Sequence, residues 1–257
     1  MTLSKLAART YGALIYGFLY LPILILVIFS FNDSKLNAVW TGFTFKWYGS
    51  LWQNANVLHA AKITLIVAFA STLLSVIFGI LVAVGMYRYK FKGKSVLDGM
   101  LNVPLVLPEI VMGISLLAFF SMMKLPLGIA TLIIAHVTFS IPYVIVVIRA
   151  RLQGFDKSVE EAAMDLGANE WKTFRLITLP IIQPAIIASA LLAFTISIDD
   201  VIVSFFVAGP GSTTLPLQIF SMVRFGVTPE INALSTIMLA ATLFVVILSE
   251  LLQKKQT

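Results

Sequence analysis

Residues 157–180 read KSVEEAAMDLGANEWKTFRLITLP. Ser158 stands where a helix N-cap would, with Glu161 three residues on, as in a capping box. Val159, Ala162, Ala163 and Leu166 follow at helical spacing and set a small apolar face among acidic residues. Gly167 is placed to end that helix as a C-cap glycine. A second short helix is expected over 170–177, ending at Pro180. A short helix with small residues on one face has the shape of an element that docks into a groove. A plain surface hairpin obeys the same local rules.

The residues of the loop alone leave both readings open. This loop lies between two apolar stretches, 128–148 and 181–207, and four more lie at 11–31, 63–87, 100–123 and 231–252. Each is long enough to cross a bilayer at about 20 residues. Each must be a helix, because a lone strand cannot satisfy its backbone in lipid. Composition agrees: 59% of the 257 residues are apolar and 12% charged, against about 25% charged in an average soluble domain. Mean hydropathy is +0.97. The expected fold class is an all-α membrane protein of six transmembrane helices, with 1–257 as one transmembrane domain and 149–180 as its long charged loop. The first stretch follows Lys5 and Arg9 like a secretory signal, but its apolar run is too long and SFND follows it, so a retained span is expected.

Flanking charge sets the topology. With the N-terminus inside, the inner segments hold 13 Lys and Arg residues, the last two being Lys254 and Lys255, and the outer segments hold 5, including Lys35. That split places both termini in the cytoplasm. The same bias accounts for a pI near 9.6 without nucleic-acid binding. With no cysteine there is no disulfide framework and no Cys-based metal site. The GKS at Gly93–Lys94–Ser95 is no P-loop, because Arg88 occupies the position of its first glycine. The chain shows no GxSxG, HExxH or metal-spaced His/Asp/Glu cluster, and no internal repeat. His136 reads as a packed, hydrogen-bonded residue.

Acids within spans are costly, at about 2.5–3.5 kcal/mol each on insertion scales. Glu109 is expected near the bilayer midplane after Pro104 and Pro108, and Asp199 and Asp200 in the outer part of the fifth span. No Lys or Arg lies inside a span to neutralise them. Water and a neighbouring chain could satisfy them; a path for a cationic substrate would also give them a partner. On a helix Asp200 shares a stripe with Ala193, Ser197 and Ser204, which favours it over Asp199 as cavity-facing, with Asp199 still open. Trp47 could add a cation–π contact, or simply sit in the interfacial aromatic belt.

The loop also carries a resemblance. Glu161-Ala162-Ala163, then Gly167, then Ile177, Leu179 and Pro180 resemble the EAA motif of ABC importer permeases, with every fixed position present at its spacing. The stretches YGFLYLPILILVIFSFND, YRYKFKGK (87–94) and 197–237 are similar to the second permease subunit of spermidine/putrescine transporters. The resemblance implies a type I importer permease fold in a bacterial cytoplasmic (inner) membrane, with the loop as a coupling helix seated on an ATPase. It implies a heterodimer with a second homologous permease, two ATP-binding subunits holding ATP and Mg, and an external polyamine-binding protein. The chain itself would hold no cofactor and no catalytic site. It also implies that Asp199, Asp200, Glu109 and Trp47 line a polyamine path. A permease for another solute such as iron, a stand-alone secondary cation transporter driven by protons, and a membrane enzyme are the rival readings.

Overall fold

The computed structural model describes residues 2–34, 39–224 and 226–254; Lys35 and Lys255 of the charge count lie outside them. The helices, in chain order, are α1 (Thr2–Phe29), α2 (Lys46–Gln53), α3 (Ala55–Arg88), α4 (Lys94–Val106), α5 (Glu109–Met122), α6 (Ile129–Gln153) and α7 (Ser158–Asp165). They continue with α8 (Glu170–Thr173), a π-helical turn (Phe174–Thr178), α9 (Leu179–Asp199), α10 (Ile202–Val207), α11 (Leu215–Val223) and α12 (Pro229–Lys254). Among the described residues no strand forms; one isolated bridge pairs Asn32 with Phe43. Among the described residues five helical segments are long and apolar enough to cross a membrane, or six if a bent pair counts as one span.

Two of the six expected spans are broken. The 100–123 stretch forms α4 and α5, which meet at 112°. Pro108 accounts for this: its ring drives the preceding residue out of the helical region, and Leu107 is extended at φ −68°, ψ 136°. The 181–207 stretch breaks after Asp199, where Asp200 turns extended at φ −67°, ψ 124°. The first helix ends at Phe29, short of the expected 31.

The chain divides into two compact units, Met1–His59 with Gln218–Ala241 and Ala60–Leu217 with Thr242–Thr257. In the first, buried Asn32 organises the connection after α1. Its amide donates to the Val39 carbonyl at 2.8 Å, and its side-chain oxygen accepts the Thr41 N–H at 2.9 Å. Phe31 stacks on Phe43 at 5.1 Å between ring centroids.

The second unit is built round α6. Leu132, Ala135, His136, Val144, Ile145, Ile148 and Leu152 are all buried, recurring at the helical intervals that keep one broad face inward. Towards the start of α6 this face joins Val67, Phe120, Val203 and Val207 in one cluster, and towards its end Ala83, Val84 and Ile182 in another. Lipid is as apolar as leucine, so close contact rather than escape from water holds such helices together. Gly79 shows the requirement: a Cβ there would overlap Val144.

Candidate transport site and coupling hairpin

A cavity of about 600 Å³ lies in the second unit between the α4–α5 bend, α6 and the α9–α10 break. Glu109, Asp199 and Asp200 all line it, with Phe139, Tyr143 and Thr195. The two helix breaks are what bring the acids together. Glu109 is the first residue of α5, where the helix N-terminus favours a carboxylate, rather than lying deep in an unbroken span. Among the described residues no three of His, Cys, Asp and Glu are grouped closely enough to hold a metal ion.

Asp200 is deeply engaged. Its carboxylate accepts the Val203 N–H at 3.1 Å and the Ser204 N–H at 2.7 Å, closing the first turn of α10. His136 Nε2 lies 3.5 Å from Asp200 Oδ2, with side-chain exposures of 1% and 7%. The ring also meets Ser197 Oγ at 2.7 Å through Nδ1 and Ser204 Oγ at 3.1 Å through Nε2. Ser197 is in turn 3.2 Å from Ser71 of α3. One buried polar network therefore joins α3, α6, α9 and α10. Among the described residues no Lys or Arg reaches Asp200, as expected, but it is not isolated: the His136 ring faces it. The unbroken stripe through Ala193, Ser197, Asp200 and Ser204 is also absent, because the helix stops between them.

Asp199 is the freer neighbour. It is exposed within the chain and accepts one hydrogen bond, from Thr242 Oγ1 at 3.3 Å. Trp47 belongs to the first unit. Its indole N–H donates to the Asn32 carbonyl at 2.7 Å, and the Lys46 ammonium stands 4.8 Å from its ring centroid. Lys46 is itself paired with Asp33.

The charged loop is a hairpin of α7, α8 and the π-turn. The expected Ser158 cap is absent: α7 begins at Ser158 with no side-chain cap, and Asp156 accepts the Ser158 N–H at 3.0 Å instead. A carboxylate outbids a hydroxyl beside the positive helix end. The Ser158 N–H holds the Asp156 carboxyl below its ordinary value of 3.8. Gly167 does end the helix, at φ +89°, with its N–H donating to the Met164 carbonyl at 2.9 Å. Glu161, Ala162 and Gly167 are exposed and Ala163 half-buried. Val159 is 44% and Leu166 89% exposed, so the small apolar face points away from the body of the unit.

The expected second helix over 170–177 does not end at Pro180. It runs through the π-turn into α9 as one segment, Glu170–Asp199. Pro180 has no N–H and its ring crowds the carbonyl four residues back; the wider π-turn just before it relieves that crowding. Ile177 and Leu179 are half-buried and Pro180 exposed at this junction.

Glu160, which nothing in the local sequence marks out from Glu161, is the buried acid of the hairpin. It accepts from Arg88 Nη2 at 2.7 Å and from the Thr178 hydroxyl. Arg88 Nη2 also donates to Thr178 Oγ1 at 2.9 Å.

Residues 75–256 match the family of binding-protein-dependent transport system inner membrane components. The chain belongs to this family, as a multi-pass inner-membrane permease of the type I ABC importer class. It is 46% identical over 255 residues to the spermidine/putrescine transport system permease protein PotC of Escherichia coli (strain K12), covering 99% of this chain and 97% of that one. It is 47% identical over 233 residues to the putrescine transport system permease protein PotI of the same organism, covering 88% and 83%. The fold matches a chain of a bacterial ABC transporter that imports the acidic polysaccharide alginate, with TM-score 0.74 and 14% identity over 100% of this chain and 97% of that one.

Proposed function

We propose that this chain is a permease subunit of an importer that moves polyamines, spermidine or putrescine, across the inner membrane, driven by ATP hydrolysis on a separate subunit. The observation that carries the reading is the cavity lined by Glu109, Asp199 and Asp200. Asp200 is spent on the α10 cap and His136. Glu109 and Asp199 remain for cargo, and two carboxylates on one cavity suit a cation that carries more than one charge. The full-length relatives named for spermidine and putrescine support the same substrate class.

In this reading residues 1–257 act as one transmembrane domain with both termini in the cytoplasm. A second homologous permease completes the path, and Trp47 adds to it only if its ring is released from Lys46. An external polyamine-binding protein delivers the cargo. Two ATP-binding subunits hold ATP and Mg, and the hairpin face of Glu161, Ala162, Ala163, Gly167 and Leu166 seats on one of them. The chain carries no ATPase site of its own. Ile177, Leu179 and Pro180 form the root of the hairpin rather than its contact face. A site that held polyamine tightly in every state would not release it, so affinity must differ between outward and inward states.

The test is uptake of radiolabelled putrescine and spermidine into proteoliposomes holding the assembled transporter. ATP-dependent uptake that survives collapse of the proton gradient is expected. Uptake that follows the proton gradient and ignores ATP would overturn the reading in favour of a secondary transporter.

A further inference from the structure

Tyr87 and Arg88 end α3 and Tyr89 follows directly, and each of the three side chains grips a different part of the hairpin. The Tyr87 hydroxyl donates to the Phe155 carbonyl at 3.1 Å, and the Lys157 ammonium lies 4.7 Å from the Tyr87 ring centroid. Arg88 reaches Glu160 and Thr178, and packs 5.9 Å from the Phe174 ring centroid. The Tyr89 hydroxyl donates to Glu170 at 2.8 Å. The three contacts span the start of the hairpin, its first helix and its root.

The Arg88–Glu160 pair is the centre of this grip. Its side chains are 16% and 9% exposed, so the charges are barely screened and neither is easily replaced by water. Thr178, its third member, lies in the π-turn, an element often found at functional positions. The middle of α3 carries Ser71, which meets Ser197 beside His136 and Asp200. Seventeen residues separate Ser71 from Arg88, about 26 Å along one helix.

We infer that Tyr87, Arg88 and Tyr89 form a clasp that makes the hairpin and α3 a single moving body, with Arg88 its positioning residue. Movement of the hairpin is thereby delivered through α3 to the polar network at the cavity. The inference rests on the importer reading, and it lies outside the EAA residues, which face the partner.

Removing one charge would leave its partner buried alone, so the variant is the double Arg88→Gln/Glu160→Gln, which removes both. In proteoliposomes of the assembled transporter, putrescine imported per ATP hydrolysed is expected to fall about tenfold, the scale of one charge-assisted hydrogen bond. A wild-type ratio in this variant overturns the clasp. A second measurement needs no cargo. The chain has no cysteine, so spin labels can be placed at Asp165→Cys on the hairpin and Leu81→Cys on α3, both exposed. Trapping with ATP and vanadate is expected to leave the distance between them unchanged with Arg88 and Glu160 present, and to alter it in the double variant. A distance that changes with the pair intact overturns the clasp. Wild type that hydrolyses ATP without importing polyamine would sink the substrate assignment alone, since the label distance still decides the clasp.

Discussion

Asp199 and Asp200 are adjacent in sequence, and the structure gives them opposite roles, which Asp200→Ala and Asp199→Ala separate. Asp200 accepts the Val203 and Ser204 N–H groups and faces His136, with 7% of its side chain exposed. Losing an N-cap costs about 1 kcal/mol. Losing a buried charge-assisted hydrogen bond costs about 1.5–3 kcal/mol. The sum is about 3 kcal/mol for Asp200→Ala, a fall of roughly 6–12 °C in unfolding midpoint at 2–4 °C per kcal/mol for a chain of this size. Asp199 holds one hydrogen bond of 3.3 Å at an exposed position, so Asp199→Ala should cost below about 1 kcal/mol. The assay is thermal unfolding in detergent followed by circular dichroism, wild type beside both variants. Equal destabilisation by the two, or an Asp200→Ala protein as stable as wild type, would refute the assignment of Asp200 to the α9–α10 break.

Other consequences are more local. Gly209→Ala places a Cβ on the Leu127 carbonyl and 2.9 Å from the Gly128 nitrogen; backbone cannot yield as a side chain can, and a loss of about 1–3 kcal/mol is expected in the same unfolding assay. Leu166→Asp, at a position 89% exposed, should leave unfolding within about 0.5 kcal/mol of wild type while abolishing co-purification of the ATP-binding subunit. Asp156 has a folded-state pKa below the ordinary 3.8, so its support of α7 is present above that value and lost as pH falls through the lowered one. Hydrogen-exchange protection of the first α7 amides, corrected for intrinsic rate, should fall with pH in that window, and Asp156→Asn should remove the dependence.

The spans were legible because some twenty consecutive apolar residues admit few folds in any solvent. The bend at Leu107-Pro108 was half legible: the prolines were visible, and the rule for the residue before proline locates the break. The break at Asp200 was not, because its cause is a carboxylate capping residues three and four further on, which a periodic helix pattern conceals. Counting only Lys and Arg as partners hid His136, although its position in a span already required hydrogen bonds. Nothing local distinguishes Glu160 from Glu161. The fold does so, by bringing Arg88 from 72 residues away onto one and leaving the other exposed.

The cation path through the acidic cavity is tested most directly by saturation kinetics of ATP-driven putrescine and spermidine uptake in Glu109→Gln and Asp199→Asn transporters. Both substitutions preserve shape and remove a charge. Each is expected to cut uptake at low polyamine by about tenfold or more, while the assembled complex still hydrolyses ATP. Wild-type uptake of both polyamines by both variants would contradict a cation path lined by these carboxylates.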